Sequence, residues 1–512
     1  MNVDFKLMNG KIVDGSGKTS EEADVGICGD RIVAVGDLSN VDAKISFDVS
    51  GKLVCPGFID SHTHSDTFIL IEPSAASKIF QGVTTEICGN CGASAAPLLG
   101  DYRLPADWES KHYPKPWKRV GTYRTLIEEL RPAINVALLI GHNTLHAGIC
   151  GYEPRGANKQ ELPLLKYELE RALDEGGIGL SSGLAYPPGS AVPAQELIDL
   201  CRIVTQKNGV YTTHMRSESE NVLEAIDEAI QIAKQSGVRL HISHLKVSGE
   251  KNWDKLEHAL EKVRAAGANA DRYPYTAGST DLDILLPQWA SYGGRSAILN
   301  RIRDKKTHQK IRKELLLKPA DYWDNVMIGS TQFEDFKGRF LPEVASLLQK
   351  KNADAFLYLI DKDELKTGGI FFSMSEKNLA RVLAEPWVSI GSDASLRAPT
   401  GPLSKDHPHP RAYGSHVRFL RLALDGKTVP LPEAIRKMTA LPAQQFNLKN
   451  RGLLQKGFFA DIAVFDPEKL KENSTYANPH QLASGLQYLW VNGILTIQNG
   501  TQTNQTGGTF LS

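Results

Sequence analysis

Apolar, β-branched runs alternate along this chain with segments of helical periodicity, and that alternation leaves few folds open. Eight such runs cover residues 55–60, 83–88, 135–140, 177–182, 210–214, 239–244, 269–273 and 388–393. Between them lie amphipathic stretches such as 195–204 and 222–230. Strands that alternate with helices pair in parallel, because each helix carries the chain back over the sheet. We therefore predict an α/β protein whose residues 56–446 form a closed (β/α)8 TIM barrel.

The two ends of the chain differ from the middle, since they contain short apolar runs joined by Asn-Gly or Gly-Asp pairs. Such pairs are typical of β-hairpin turns. The turns concerned are Asn9-Gly10, Gly29-Asp30 and Asn492-Gly493. We expect residues 1–55 and 447–500 to meet in one small β-sandwich, and the polar tail after Gly500 to be loose.

A long stretch separates the seventh apolar run from the eighth. Residues 287–382 are too many for one crossover between neighbouring strands. Charged, helical patterns occupy 296–317 and 341–364 within it. The sequence therefore predicts an inserted helical subdomain that lies over the barrel mouth before the eighth strand.

The charge balance bears on the partners of the protein, and the cysteines bear on its cellular compartment. The chain has 59 Lys+Arg against 59 Asp+Glu, which favours neither nucleic acid nor an acidic membrane surface as a partner. No signal-peptide pattern and no apolar run long enough to span a bilayer occur in the sequence. Six cysteines in 512 residues do not form a disulfide framework. We expect a cytoplasmic protein with reduced thiols.

Metal-binding side chains follow five of the predicted strands at their carboxyl ends. They are His62, His64, Cys91, His214, His244 and Asp393. The active sites of such barrels lie at this edge, and imidazole, thiolate and carboxylate are the donors that Zn2+ prefers. A lone histidine at a strand end is more often structural, but six donors at one edge predict a zinc site.

Cys88 would complete a redox CxxC or half a zinc ribbon with Cys91. No second CxxC occurs to complete a ribbon, and we interpret Cys88 as a buried small residue.

Several motifs together resemble those of a known family. They are Pro56-Gly-Phe-Ile-Asp-Ser-His62-Thr-His64, Gly89-Asn-Cys91-Gly, His214-Met-Arg-Ser-Glu218, Ile242-Ser-His244-Leu-Lys246, Tyr273-Pro-Tyr-Thr-Ala-Gly-Ser279, Gly391-Ser-Asp393 and His407-Pro-His-Pro-Arg411. The combination is similar to the D-aminoacylase (N-acyl-D-amino-acid deacylase) family of the amidohydrolase superfamily. The resemblance runs from about residue 3 to 498.

The resemblance implies a specific metal arrangement. A tightly bound zinc ion would be held by Cys91, His214 and His244. A weaker second site would use His62, His64, Asp393 and the shared Cys91. The superfamily usually places a carboxylated lysine on the fourth strand, but residues 177–186 contain no lysine. Cys91 would take its place.

The resemblance also implies an activity and a set of substrate contacts. The expected reaction is zinc-dependent hydrolysis of N-acyl-D-amino acids, small-molecule substrates, with Asp393 as the general base and then the general acid. Arg411 would bind the substrate α-carboxylate, because guanidinium matches a carboxylate with two hydrogen bonds. The further pocket residues implied are Lys246, Tyr186, Tyr273 and Ser279.

Other residues near these motifs leave alternatives open. Arg216 fits either the site or an internal pair with Glu218 or Glu220. The two tyrosines could simply be packed at the rim. His407 and His409 are expected to fix a loop or to touch substrate, and His241 to be structural. His142 and His146 are more often structural than part of a site. The loop from Asp393 to Arg411 carries Arg397 and Lys405, which either favour substrates with acidic side chains or, as is more common, are solvated loop charges.

Two rival functions remain in view. A cyclic-amide hydrolase, similar to dihydroorotase or hydantoinase, shares the barrel and its histidines. The missing fourth-strand lysine and the presence of Cys91 and Arg411 favour the deacylase. A catalytically inactive binding protein would be expected to have lost at least one metal donor, and none is missing.

Overall fold

The computed structural model describes residues 2–100 and 102–512. Its strands, in chain order, are β1 (Asn2–Ile12), β2 (Glu21–Cys28), β3 (Arg31–Gly36), β4 (Asp42–Asp48), β5 (Leu53–Pro56), β6 (Phe58–Asp60), β7 (Val83–Cys88), β8 (Asn135–Gly141), β9 (Gly179–Gly183), β10 (Val210–His214), β11 (Arg239–Ile242), β12 (Asn269–Arg272), β13 (Ala277–Asp281), β14 (Val326–Ser330), β15 (Gly368–Phe372), β16 (Val388–Ile390), β17 (Ile462–Phe465), β18 (Leu486–Val491), β19 (Ile494–Gln498), β20 (Thr501–Gln502) and β21 (Phe510–Leu511).

The α-helices are α1 (Ala76–Ile79), α2 (Ala106–Glu109), α3 (Val120–Leu130), α4 (His142–Cys150), α5 (Glu161–Asp174), α6 (Ala194–Gln206), α7 (Val222–Ser236), α8 (Leu256–Ala265), α9 (Gly294–Arg303), α10 (Lys305–Leu315), α11 (Leu341–Leu347), α12 (Asn352–Lys362), α13 (Glu376–Leu383), α14 (Arg411–Leu424), α15 (Leu431–Met438) and α16 (Ala440–Gln445). Among the described residues, no helix is both long enough and apolar enough to cross a membrane.

A parallel barrel forms the centre of the molecule. Its strands follow one another in the order β6, β7, β8, β9, β10, β11, β12 and β16. The first and last strands approach where Ser61 N–H donates to the Ile390 carbonyl at 3.3 Å and Thr63 bridges Ala394. The predicted (β/α)8 TIM barrel is confirmed. Nearly every residue of its strands is buried, as expected when helices cover a parallel sheet.

The predicted first strand, 55–60, is divided between two sheets. Strand β5 pairs antiparallel with β17 in the terminal sheet, whereas β6 pairs with β7 in the barrel. Gly57 lies between them, and a Cβ there would come within 2.3 Å of the Thr84 side chain. Because glycine has no side chain, the chain can pass from one sheet to the other at this close contact.

Both ends of the chain contribute to one further sheet. Its strand order is β20, β19, β18, β17, β5, β1, β2 and β3, with β4 on β1. The predicted sandwich of the two termini is confirmed, with Val25, Ile462 and Trp490 in its core. Turns at Gly29-Asp30 and Asn492-Gly493 join antiparallel neighbours, as predicted.

The prediction of a hairpin at Asn9-Gly10 was wrong. Strand β1 continues through both residues, and its pairing with β2 shifts register between Leu7 and Gly10. Asn9 has φ 60°, so the pair forms a bulge within the strand. A Cβ on Gly10 would lie 2.6 Å from the Val54 side chain, so the small residue serves packing against β5.

The inserted subdomain contains helices α9 to α12 and a small antiparallel sheet in the order β13, β15, β14. Its own apolar core includes Leu282, Ile311 and Phe356. The sheet was not predicted, and its strand β13 lies before residue 287. The division into residues 1–55 plus 447–500, 56–446 and 287–382 stays a prediction.

The tail after Gly500 is ordered against the barrel, so the expectation of a loose tail was wrong. Strand β21 pairs in parallel with β8, with Phe510 opposite Val136. Phe510 is buried and belongs to the main apolar core. Backbone hydrogen bonds also hold the tail, including Gly508 N–H to the Pro132 carbonyl at 2.8 Å.

Candidate metal centre

The predicted metal-binding residues all lie at the carboxyl edge of the barrel. His62 and His64 follow β6, Cys91 follows β7, and His214 ends β10. His244 follows β11 and Asp393 follows β16. Because parallel strands present their carboxyl ends at one edge, residues far apart in sequence converge there.

The donor atoms of these residues form two groups that share one sulfur. Cys91 Sγ lies 3.4 Å from His62 Nε2 and 3.4 Å from His244 Nε2. One group contains Cys91, His214 and His244, and the other contains His62, His64, Cys91 and Asp393. Within each group the donor atoms lie within 4.8 Å of one another. Donors at this spacing could bind one metal ion in each group.

Electrostatics favour the thiolate form of Cys91. Burial alone would raise the pKa of its thiol, but nearby His62 and His244, with a hydrogen bond from His214, bring that pKa well below its ordinary value. Thiolate is the form that binds zinc. The donor set of thiolate, imidazole and carboxylate therefore fits zinc in this structure.

Three of the candidate ligands have a left-handed backbone. The φ angles are 52° at Cys91, 37° at His244 and 51° at Asp393. Such conformations are unfavourable for residues with a side chain and are concentrated at functional sites. In the Cys91 loop, Gly92 also has positive φ, and a Cβ there would meet Asn143 Oδ1 at 2.2 Å. Gly92, the last residue of the Gly89-Asn-Cys91-Gly motif, is thus required by close packing beside Cys91.

Glu218 belongs to the site, although the sequence suggested it only as a possible partner for Arg216. Its Oε1 lies 2.8 Å from His244 Nδ1 and accepts a hydrogen bond from Lys246 Nζ at 2.5 Å. Its Oε2 lies 3.7 Å from His214 Nε2. The spacing of four residues after His214 was a signal that could have suggested this role.

Arg216 does not form either of the pairs expected for it. Its guanidinium binds Glu228 at 2.8 Å and the carbonyls of Ser190 and Val192. It therefore holds the loop after β9 against α7, while still lining the cavity.

Arg411 is buried directly beside the donor group that contains Asp393. Its Nη1 donates to Asp393 Oδ2 at 2.8 Å, and its Nη2 donates to the Ser279 carbonyl at 3.2 Å. The guanidinium carbon lies 4.7 Å from the centre of the Tyr273 ring. Among the described residues, Tyr273 Oη is buried without a hydrogen-bond partner. Three of the predicted substrate-binding residues are thus brought together.

Tyr186 and Lys246 complete the predicted set. Tyr186 Oη is hydrogen-bonded to Thr280 Oγ1 at 3.2 Å, and its ring packs against His214 with centroids 4.8 Å apart. Lys246 Nζ donates to Glu218 Oε1 at 2.5 Å and lies 2.8 Å from His244 Nδ1, which faces the same carboxylate. The two side chains therefore border the donor group of Cys91, His214 and His244.

These residues line a cavity of about 1300 Å3 at the barrel mouth. Arg397 and Lys405 lie on its wall, as does strand β13 of the inserted subdomain. Arg397 is paired with Asp406 at 2.7 Å, so its charge is neutralised within the loop. His62 is completely buried below the cavity floor.

The remaining histidines lie outside the two metal groups. His407 and His409 bind the carbonyls of Tyr476 and Ala277 at 2.6 and 2.9 Å, which fixes the loop before Arg411. His142 Nε2 and His146 Nδ1 each lie 2.9 Å from Glu196 Oε1, in a separate buried cluster.

Comparison with known proteins gives consistent matches over almost the whole chain. Residues 46–368 and 377–497 match the family model described as "Amidohydrolase family". The chain is 36% identical to D-aminoacylase of Alcaligenes xylosoxydans xylosoxydans, covering 99% of this chain and 97% of that protein. It is 32% identical to N-acyl-D-aspartate deacylase of the same organism, over 96% and 91%.

A solved structure of a similar protein contains metal and inhibitor. This chain is 31% identical to N-acyl-D-glutamate deacylase from Bordetella bronchiseptica, complexed with zinc and a phosphonate inhibitor that mimics the tetrahedral intermediate. The TM-score is 0.85, with 100% of this chain and 99% of that chain covered.

Proposed function

This chain belongs to the amidohydrolase family, and from that premise we propose that it hydrolyses the amide bond of N-acyl-D-amino acids with bound zinc. The products are a carboxylate and a free D-amino acid. The observation that carries the proposal is the pair of donor groups around Cys91 Sγ, with Arg411 beside them. The named activities of its relatives, D-aminoacylase and the N-acyl-D-aspartate and N-acyl-D-glutamate deacylases, support the same reaction.

Cys91, His214 and His244 would hold the tight zinc ion. His62, His64, Asp393 and the shared Cys91 would hold a weaker second ion. Zinc bound there would supply a Lewis acid for the substrate carbonyl and would make water acidic enough to attack near neutral pH. Glu218 orients His244 by accepting from its Nδ1–H, a common support for a metal-binding histidine.

Asp393 would move the proton during the reaction. Its Oδ1 lies 3.1 Å from His64 Nε2, and its Oδ2 faces Arg411. The carboxylate takes the proton of the attacking water and then gives it to the leaving amide nitrogen. Burial would raise the pKa of Asp393, but Arg411 and His244 bring it well below its ordinary value, so the group begins as the base.

Arg411 would bind the α-carboxylate of the substrate. Its guanidinium faces the cavity between Asp393 and the β13 backbone. A substrate carboxylate could replace Asp393 as its partner, so that the guanidinium would still be paired with an anion. The unpartnered Tyr273 hydroxyl and Ser279 lie on the same side and would add hydrogen bonds. Tyr186 and Lys246 would border the reacting amide.

A panel of N-acetyl-D-amino acids, their L-forms and cyclic ureides tests the proposal. We expect turnover of the D-substrates, and of L-forms or ureides only at much lower rates. Activity confined to the ureides would show that the protein is a cyclic-amide hydrolase instead of a deacylase.

A cytoplasmic location and the lack of nucleic-acid or membrane partners stay predictions. The free thiols of the six cysteines would suit a reducing compartment.

A further inference from the structure

Asp271 lies at the carboxyl end of barrel strand β12, and the motifs discussed so far give it no role. It is completely buried. Its Oδ2 lies 3.1 Å from His62 Nδ1 and 2.9 Å from His241 Nε2. Its Oδ1 accepts a hydrogen bond from the backbone N–H of His244 at 2.9 Å. One carboxylate therefore contacts two candidate ligands on different strands.

The two nitrogens of His62 face different groups. Nδ1 faces Asp271, while Nε2 lies 3.4 Å from Cys91 Sγ and 3.4 Å from Asp393 Oδ1. A carboxylate accepts but cannot donate, so Nδ1 carries a proton. In the neutral imidazole, the form that can bind metal, the lone pair is therefore on Nε2, which faces the metal group. Neutral imidazole can bind metal only through its unprotonated nitrogen.

The contact to His244 acts on the backbone. His244 has a φ angle of 37°, and its N–H would lack this partner if Asp271 were removed. A left-handed residue persists only where surrounding contacts hold it. Asp271 is packed closely enough to hold it, since a Cβ on Gly391 would lie 3.0 Å from its Oδ1 and 2.6 Å from His62 Cβ.

We infer that Asp271 is a positioning residue of the metal centre: it fixes the metal-binding tautomer of His62 and the backbone of His244 at once. The inference rests on the metal centre of the proposed function. Asp271 touches neither substrate nor metal, and it acts through the two histidines. Carboxylates behind metal-binding histidines typically contribute 10–100-fold in metal affinity.

Asp271→Asn tests the inference with almost no change in shape. If the amide oxygen keeps the His244 N–H, the amide NH2 faces His62 Nδ1 and forces the proton onto Nε2. If the amide is reversed, the NH2 faces the His244 N–H and that hydrogen bond is lost. Either orientation disturbs one ligand, so we expect metal affinity to fall by about 10–100-fold.

Asp461→Asn is the matched control. Asp461 is also a buried carboxylate that accepts a backbone N–H, from Asn492 at 2.8 Å, and contacts a side-chain donor, Arg451. Among the described residues it belongs to none of the donor groups that could hold a metal ion. Competition titration of zinc against a chromophoric chelator, with melting temperatures for all proteins, separates metal affinity from general stability. We expect the control to keep wild-type affinity even if its melting temperature falls.

His241→Asn separates the two histidines that Asp271 Oδ2 contacts. It removes the second imidazole but keeps His62, and we expect affinity close to wild type. Equal zinc affinity of wild type and Asp271→Asn would overturn the inference, and so would an equal loss in His241→Asn. Should Asp271→Asn not fold, the titration of Asp271→Glu decides in the same way, because its longer arm cannot keep both contacts. Wild-type protein that binds no zinc would contradict the proposed function instead.

Discussion

Arg411 Nη1 donates to Asp393 Oδ2 at 2.8 Å, so the residue expected to bind the substrate carboxylate is paired with the residue expected to move the proton. Both side chains are buried, at 5 and 10% exposure. A buried cation and anion in contact compensate each other's loss of hydration. A substrate carboxylate that takes over Arg411 would therefore change the environment of Asp393 as it binds.

Asp393→Asn removes the proposed base while keeping the shape of the side chain. We expect kcat to fall by about two or more powers of ten, because an amide cannot take the proton of water. The tight zinc ion should remain, since Cys91, His214 and His244 are unchanged. Steady-state kinetics and metal analysis of the same sample check both statements, and wild-type turnover would exclude the acid–base role.

Arg411→Lys keeps the charge but loses the planar pair of donors. We expect kcat/KM for N-acyl-D-amino acids to fall by about 10–100-fold, the effect of losing a charge-assisted hydrogen bond. An N-acyl amine without the α-carboxylate provides the internal control, and its slow hydrolysis should be similar in the two proteins. An equal loss for both substrates would mean that Arg411 acts through Asp393 alone.

Cys91→Ala should remove the tight zinc ion, because both donor groups share this sulfur. Cys88→Ala is the matched control. Cys88 is buried three residues earlier, with its Sγ 3.2 Å from Thr63 Oγ1, and belongs to neither donor group. Metal analysis after dialysis should find zinc in the control and not in Cys91→Ala. A full equivalent of zinc in Cys91→Ala would contradict the proposed ligand set.

Lys437 gives a prediction about stability. It is fully buried in α15 with its Nζ donating to the Glu385 carbonyl, and burial lowers its pKa from 10.5 to about 7. Between these values the unfolded chain holds a proton that the folded chain lacks, so this residue makes stability rise with pH. Below about pH 7 the burial of the charged ammonium lowers the free energy of unfolding by its full amount. Above about pH 10 this destabilisation is absent, because the lysine is neutral in both states.

Replacement of Lys437 by methionine should therefore raise the melting temperature near neutral pH. The Glu385 carbonyl keeps a donor, the Val388 N–H at 3.2 Å. The gain over wild type should shrink as the pH approaches about 10. Lys427→Met, at a largely exposed lysine, should show no such dependence. Scanning calorimetry across this pH range checks it, and a gain that does not change with pH would exclude the titration of Lys437 as its cause.

Much of the fold could be predicted because its signals are local. The apolar runs of β7, β8 and β10 are buried on both faces, and each begins within two residues of its predicted position. The bulge at Asn9 could not be distinguished from a hairpin, since both place a left-handed residue at an Asn-Gly pair. The packing of Phe510 depends on pairing with β8, which is far away in sequence, so no local sequence pattern predicts it.

The same distinction applies to the site. The donors at the strand ends could be predicted from position and residue type. For Glu218 the only sequence signal was its spacing of four residues from His214. Asp271 could not be assigned, because its partners are set by the stagger of neighbouring strands and by side-chain rotamers. Arg216 shows the limit clearly: near neighbours in sequence were the natural partners to consider, but the fold places Glu228 from α7 against it instead.

The left-handed backbone at Cys91, His244 and Asp393 bears on how the centre would be loaded. Each such conformation costs of order 1 kcal/mol or more, and that cost is met when the barrel folds rather than when metal arrives. The site should therefore have its final shape before metal binds, so uptake of zinc would require little rearrangement of the chain. Substitutions that loosen these turns would then slow or weaken reconstitution of the apoenzyme, even where every donor atom is retained.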